Sequence, residues 1–275
     1  MKRILMAAAI ATAFTASPSM AASLSSASLS NFQVYLFDLD YNDGINSSIN
    51  FQPTSYSNLN GSINKPGASQ ETTFRVAGDD ISPVSKTITN SMNTASASIS
   101  GDSLYNTVLK ASGETLGTKG KENNERYLSI ASNKIYFTIT PNTYLSISAD
   151  AQQYIETTDG TSDANEYALS WVTLSFYNDS GSTVSYYNSF IDSTGEYTAK
   201  EVNKSWNLSA IMENSSNQEY TGYFQSNILV YGTSNAEISK DNNLSEVPVP
   251  AALPLMASAL GIFGLARRRN KSKAA

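Results

Sequence analysis

Asp38, Asp40, Asn42 and Asp43, followed by Gly44, form the sharpest cluster of ligating oxygens in this 275-residue chain. Oxygen ligands on alternate residues before a glycine suit a calcium loop, because a hard cation takes several carboxylate and carbonyl oxygens around one tight turn. The spacing departs from an EF-hand loop twice: glycine stands seventh instead of sixth, and Ile49 is twelfth, where that loop places a bidentate glutamate. The same residues also read as a strand end followed by an Asn-Asp-Gly turn into the next strand of a hairpin. One reading makes the carboxylates calcium ligands, the only cofactor the sequence puts forward; the other makes them part of a turn.

The chain has no histidine and no cysteine. That removes Ser-His-Asp and Cys-His nucleophile systems, zinc thiolate sites and disulfides together. Glycoside hydrolysis by paired carboxylates depends on a separation in space, and Asp79, Asp80, Asp150, Glu156, Asp159 and Asp163 are available for it. With 24 acidic residues in the chain, the same side chains also read as ordinary solvated charges. Tyrosines, including Tyr186 and Tyr187, stack on sugar rings where they are exposed and otherwise cover a half-buried sheet face. No enzymatic constellation stands out, and the chain reads as non-enzymatic.

The elements that carry these residues follow a period of two. Ile135, Phe137 and Ile139 fall on one face of Lys134 to Thr140, and Leu145, Ile147 and Ala149 repeat the pattern after Pro141-Asn142, which predicts a β-hairpin. Tyr167 to Tyr177 places Val172, Leu174 and Phe176 opposite Leu169, Trp171, Thr173 and Ser175, as in a strand near the middle of a sheet. Asn178 to Ser182 reads as a turn into a strand over Thr183 to Ile191. Further strands are expected over Ser205 to Met212 and Tyr220 to Thr233, with shorter ones over Asn31 to Asp38, Ile45 to Phe51, Thr72 to Ala77 and Thr94 to Ser100. Asn50 to Ala68 reads as a long connection or irregular edge, and the glycine-bearing stretch Ser112 to Arg126 as a loop. Nine or ten strands without a solenoid-length repeat predict one all-β domain, an antiparallel sandwich or jelly roll, over residues 23–240.

The two ends read as an address. Lys2 and Arg3 precede a mostly apolar run, and Ser19-Met20-Ala21 offers small residues to signal peptidase, so residues 1–22 form a signal peptide cut after Ala21 or Ala22. After a polar linker at 241–246, the twenty positions Val247 to Ala266 carry no charge, and Arg267, Arg268, Arg269, Lys271 and Lys273 follow. At about 1.5 Å a residue the run spans a bilayer core of about 30 Å, with the arginine cluster stopping it on the cytoplasmic side. Pro248, Pro250 and Pro254 keep the start of the run extended, leaving only Leu255 to Ala266 as uninterrupted helix. That suits presentation to a protease better than a permanent span. Seven of the 18 basic residues lie in these ends, whereas all 24 acidic ones lie between them, so the body carries a net −13 where the whole chain carries −6. Such a body repels nucleic acid and anionic headgroups.

Val247-Pro248-Val249-Pro250-Ala251, the apolar run and Arg267-Arg268-Arg269 resemble the PEP-CTERM sorting signal in its Val-Pro-Leu-Pro-Ala variant, with Val249 where leucine is usual. Asp38 to Ile45 with Ser48 to Phe51, and Phe137 to Thr143 running into Ser148-Ala149, resemble segments of small cargo proteins carrying that signal. The resemblance implies an exported protein of a Gram-negative, exopolysaccharide-producing bacterium. It also implies transient anchoring in the inner membrane, cutting at the proline motif by an exosortase (a membrane-embedded cysteine transpeptidase), and delivery to the cell surface or matrix. It brings no catalytic residue. The expected function is therefore that of a non-enzymatic surface or matrix protein, with a polysaccharide-binding module and a carboxylate-based glycan hydrolase as alternatives.

Overall fold

The computed structural model describes residues 21–64, 71–78, 81–116, 125–157, 166–193 and 201–234. Most of the expected signal peptide, residues 235–240 of the expected domain, the linker at 241–246 and the sorting tail at 247–275 lie outside them. Ala21 and Ala22, at the expected cleavage point, are the first residues of the first strand; Ala21 pairs with Leu116, and from Ser23, opposite Thr115 and Thr157, the strand is paired on both sides.

Two six-stranded antiparallel sheets face each other. The first runs in the order β11 (Glu201–Asn214), β8 (Thr143–Thr157), β1 (Ala21–Asp38), β6 (Val108–Leu116), β5 (Asn93–Ser100), β4 (Val84–Thr89). The second runs β10 (Thr183–Asp192), β9 (Tyr167–Asn178), β12 (Tyr220–Ser234), β7 (Glu125–Ile139), β2 (Ile49–Asn64), β3 (Glu71–Gly78). The protein is an all-β antiparallel sandwich. Alternation explains the layering: in β7 and β12 every second residue is buried, and these inward sets meet their counterparts from β1, β6 and β8. Phe137, Phe176 and Phe224 pack edge-to-face or tilted at 5.7 and 5.3 Å, and Phe32 of the first sheet reaches Phe224 at 6.3 Å.

Several expectations are corrected. β7 and β8 do not form a hairpin: the turn at Pro141-Asn142 passes the chain from one sheet to the other, so Phe137 and Leu145 face each other across the core. Alternation alone states that two strands share a core, and it is equally satisfied by side-by-side and face-to-face placement. The Asn42-Asp43-Gly44 turn likewise links strands of different sheets and closes no hairpin. Asn50 to Ala68 is for the most part strand β2, an interior member of its sheet: Leu59, Gly61 and Ile63 point inward between polar residues, and the register shifts between Phe51 and Ser55 around Pro53. Ser112 to Leu116 belongs to β6 and Glu125-Arg126 to β7, leaving 117–124 outside the described residues. The described residues hold twelve strands where nine or ten are expected. β9 has both faces covered, as its pattern predicts: Val172, Leu174 and Phe176 are buried on one side and Thr173 and Ser175 on the other.

Candidate ligand-binding face

A bulge in β1 decides what its far half shows to solvent. Up to Leu29 the odd-numbered residues Ser23, Ser25, Ala27 and Leu29 point into the core; beyond it the even-numbered Phe32, Val34 and Leu36 do. The register shifts between Ser30 and Gln33, and Asn31 in between has φ +53°. Asparagine tolerates this left-handed conformation better than most residues. One inserted residue exchanges the faces of everything after it. Tyr35 and Phe37 therefore stand outside, 47% and 55% exposed, in the register where β1 would otherwise bury them.

The bulge is pinned by Asp150 of β8. Its Oδ2 accepts from Asn31 Nδ2 at 2.8 Å and its Oδ1 from Asn207 Nδ2 of β11 at 3.0 Å, bridging three strands on the outer face. Next to this network lie Gln33, whose amide oxygen accepts from the Tyr35 hydroxyl, and Ser146, hydrogen-bonded to Ser209 at 2.8 Å. Beyond them stand Tyr35 opposite Ser146, which Ile211 of β11 faces from its other side, then Phe37 edge-on to Tyr144 at 5.7 Å. A strip results, amide and carboxylate at one end and aromatic at the other.

The aspartate cluster adjoins the aromatic end. Asp38 Oδ1 accepts from the Asp40 N–H at 2.9 Å, Asp40 Oδ1 from the Asn42 N–H at 3.1 Å, and Asp43 Oδ1 from the Ile45 N–H at 2.7 Å. This is a succession of Asx turns. Asp43 Oδ2 also accepts from Asn142 Nδ2 at 2.8 Å, and the Asn142 carbonyl accepts from the Leu39 N–H at 2.7 Å, which clasps the loop to the turn between β7 and β8. The three carboxylates thus face local backbone donors. Among the described residues no three acidic side chains converge as a cation site.

Hydrogen bonds to the charged form hold two of these carboxyls below the usual aspartate value of 3.8: Asn142, then Ile45, for Asp43, and Asn31, then Asn207, for Asp150. Their stabilisation is present above the ordinary value and lost as pH falls through the lowered native values. On acidification below 3.8 the side-chain amide signals of Asn31 and Asn142 are therefore expected to shift in NMR spectra before the core amides of β7 and β12 lose protection from exchange. Simultaneous loss would deny the two carboxylates this local role.

The tyrosines of the second sheet behave differently. Tyr177 and Tyr223 stack at 4.7 Å and 13°, and the Lys134 ammonium lies 3.6 Å from the Tyr223 ring centroid and 4.5 Å from that of Tyr136. Their ring faces are engaged with one another and with a cation, so they cover their sheet. Tyr186 and Tyr187 sit exposed on the edge strand β10. Of the acids available for hydrolysis, Asp150 and Glu156 lie six residues apart on the same face of β8, about 20 Å at about 3.3 Å a residue, beyond the 5–9.5 Å a glycosidase pair spans. Asp79, Asp80, Asp159 and Asp163 lie outside the described residues. Sequence reasoning missed Tyr35, Phe37 and Asp150 as one face. The available signal was the switch of apolar residues from odd to even positions across Asn31.

No protein-family model matches the chain, and neither does any curated protein. Among solved structures it is similar to one described as a carbohydrate-binding module from the β-sandwich superfamily, with 6% identity over 76% of this chain and 92% of that one. The TM-score of that overlay is 0.14.

Proposed function

We propose that this chain is an exported, non-enzymatic surface or matrix protein that holds exopolysaccharide on the outer face of its first sheet and is cut by an exosortase at Val247–Ala251. The observation that carries the binding role is the solvent-facing strip of Tyr35, Phe37 and Tyr144 beside the Asp150 amide network. Exposed rings accept the C–H faces of sugar rings, and neighbouring amides, hydroxyls and a carboxylate exchange hydrogen bonds with sugar hydroxyls. A strip of outward residues along β1 suits a polymer lying along that strand. The acidic body disfavours nucleic acid and anionic membrane surfaces as alternatives.

Polarity supports display. Gly232 near the end of β12 lies against Ser23 near the start of β1, so the chain enters and leaves the sandwich at one pole. The aromatic strip lies toward the other pole, where Asp38 of β1 meets Thr143 of β8 and Tyr220 of β12 meets Ile139 of β7. The fifteen residues of β7 separate the poles by about 45 Å at about 3.3 Å a residue.

Fractionation of the native host, with mass spectrometry of both ends and a matrix pull-down, tests the reading. The mature form is expected to begin at Ala22 or Ser23, to end within Val247–Ala251 and to co-sediment with the polysaccharide. An intact tail through Ala275 in the mature protein would remove the processing step. Failure to co-sediment would remove the binding role.

A further inference from the structure

The first sheet is missing a corner. β6 pairs with β1 no further than Leu29 opposite Leu109, while β1 and β8 run on to Asp38 opposite Thr143. In the facing sheet β2 and β7 also continue, to Ile49 opposite Ile139. The inner face of that continuation is roofed by the loop between β5 and β6, and the roof leaves a cleft of about 450 Å³. That volume lies within the about 300–1,000 Å³ typical of small-molecule sites.

The roof is rigid. Asn106 Oδ1 accepts from the Asp102 and Ser103 backbone N–H groups and the Ser103 hydroxyl, each at 3.0 Å, and Asn106 Nδ2 donates to Asp102 Oδ1 at 2.6 Å. Thr107 Oγ1 donates to the Ser103 carbonyl at 2.6 Å, Leu104 is buried, and Gly101 at φ +94° makes the turn beside the Asn106 backbone. This fixed loop presents Tyr105, 59% exposed, edge-on to Phe51 at 6.5 Å and 86°. The opposite wall is equally set: the Ile81 N–H donates to Ser55 Oγ at 2.9 Å where β2 slips register.

The lining decides the ligand. It holds the aromatic pair Phe51 and Tyr105 over a floor of Ile81, Leu104 and Ile135, with the hydroxyls of Ser82 and Ser103, the Gln52 amide and the Asp102 carboxylate, and among the described residues no lysine or arginine. Asp102 uses one oxygen on Asn106, and among the described residues nothing bonds the other. Two rings beside an anion attract a cation, and hydroxyls with an amide satisfy a polyol.

From this lining we infer that the cleft binds an amino sugar: a single pyranose residue whose ring lies against Tyr105 and whose ammonium group pairs with Asp102. The site lies away from the outer face of β1, β8 and β11, and it stands or falls separately from that face.

The test is calorimetric titration of the protein isolated from its host with glucosamine, glucose and glucuronic acid at mildly acidic pH. Glucosamine is expected to bind about tenfold or more tightly than glucose, as befits a charge-assisted contact, and glucuronic acid not at all. Asp102→Asn should erase the preference for glucosamine over glucose, and Tyr105→Ala should abolish binding of both, with melting temperature and polysaccharide retention unchanged. Equal affinity for glucosamine and glucose in the wild-type protein, retained preference in Asp102→Asn, full binding in Tyr105→Ala, or no binding of glucosamine would each overturn the inference. Loss of polysaccharide retention in Tyr35→Ala with glucosamine binding intact would separate the two sites.

Discussion

Gly113→Val is expected to destabilise the fold by about 3 kcal/mol or more. Gly113 of β6 faces the ring of Tyr127, the largest fully buried side chain of the core, and a Cβ at 113 would overlap that ring. The ring cannot retreat, because Gly232 of β12 bounds it on another side and a Cβ there would meet the same ring and Ser23. Its hydroxyl is also fixed, 2.7 Å from Ser25 Oγ, and burial pushes its pKa well up. Overpacking of this kind costs about 1–3 kcal/mol where the surroundings yield, and more where they do not, against a total stability of about 5–15 kcal/mol. The check is a denaturant melt of Gly113→Val, Tyr127→Ala and the double variant. Truncating Tyr127 alone removes core packing at about 3–5 kcal/mol, yet in the double variant it also relieves the overlap. The double variant should therefore be more stable than the sum of the single losses allows. Additive losses would mean that Gly113 matters for some reason other than room for the ring.

Tyr35→Ala combined with Phe37→Ala is expected to lower polysaccharide retention about 10- to 100-fold while leaving the fold intact. Each ring contributes about 0.5–1.5 kcal/mol of stacking, and the two together amount to about one to two decades in affinity. Both are about half exposed and lie outside the buried core, so the melting temperature should stay nearly unchanged. Tyr56→Ala provides the control, since Tyr56 is a similarly exposed tyrosine on the outer face of the opposite sheet, packed against Tyr136 at 6.3 Å. Retention that falls equally in both variants would point to a general loss of aromatic surface. Retention untouched in the double variant would end the case for the strip.

Much of the sandwich is legible in the chain because alternation records burial directly. Ile135, Phe137 and Ile139, Leu208, Ala210 and Met212, and Phe224, Ile228 and Val230 are all buried, as their spacing indicates. Pairing is not recorded in the same way. Leu59 and Ile63 are embedded among asparagine, serine and glycine, so β2 reads as a connection, although β7 pairs with it along most of its length and β3 along its second half. Gly113 looks like a loop residue until Tyr127 is seen to need its missing side chain.

Residue types and their period are enough to indicate an all-β body of strongly acidic charge and to exclude histidine and cysteine chemistry. These properties are additive over residues or periodic along the chain, and they need no knowledge of what lies beside what. The placement of β7 and β8 in opposite sheets, the facing of the Asp38–Gly44 carboxylates to backbone donors, and the outward turn of Tyr35 and Phe37 appear first in the packed sandwich. The reason is the same in each case: a turn that crosses between sheets, an Asx bond and a one-residue bulge pinned by Asp150 are choices among local geometries of similar energy. Contacts distant in sequence make those choices, as Asn31 with Asp150 and Asp43 with Asn142 show.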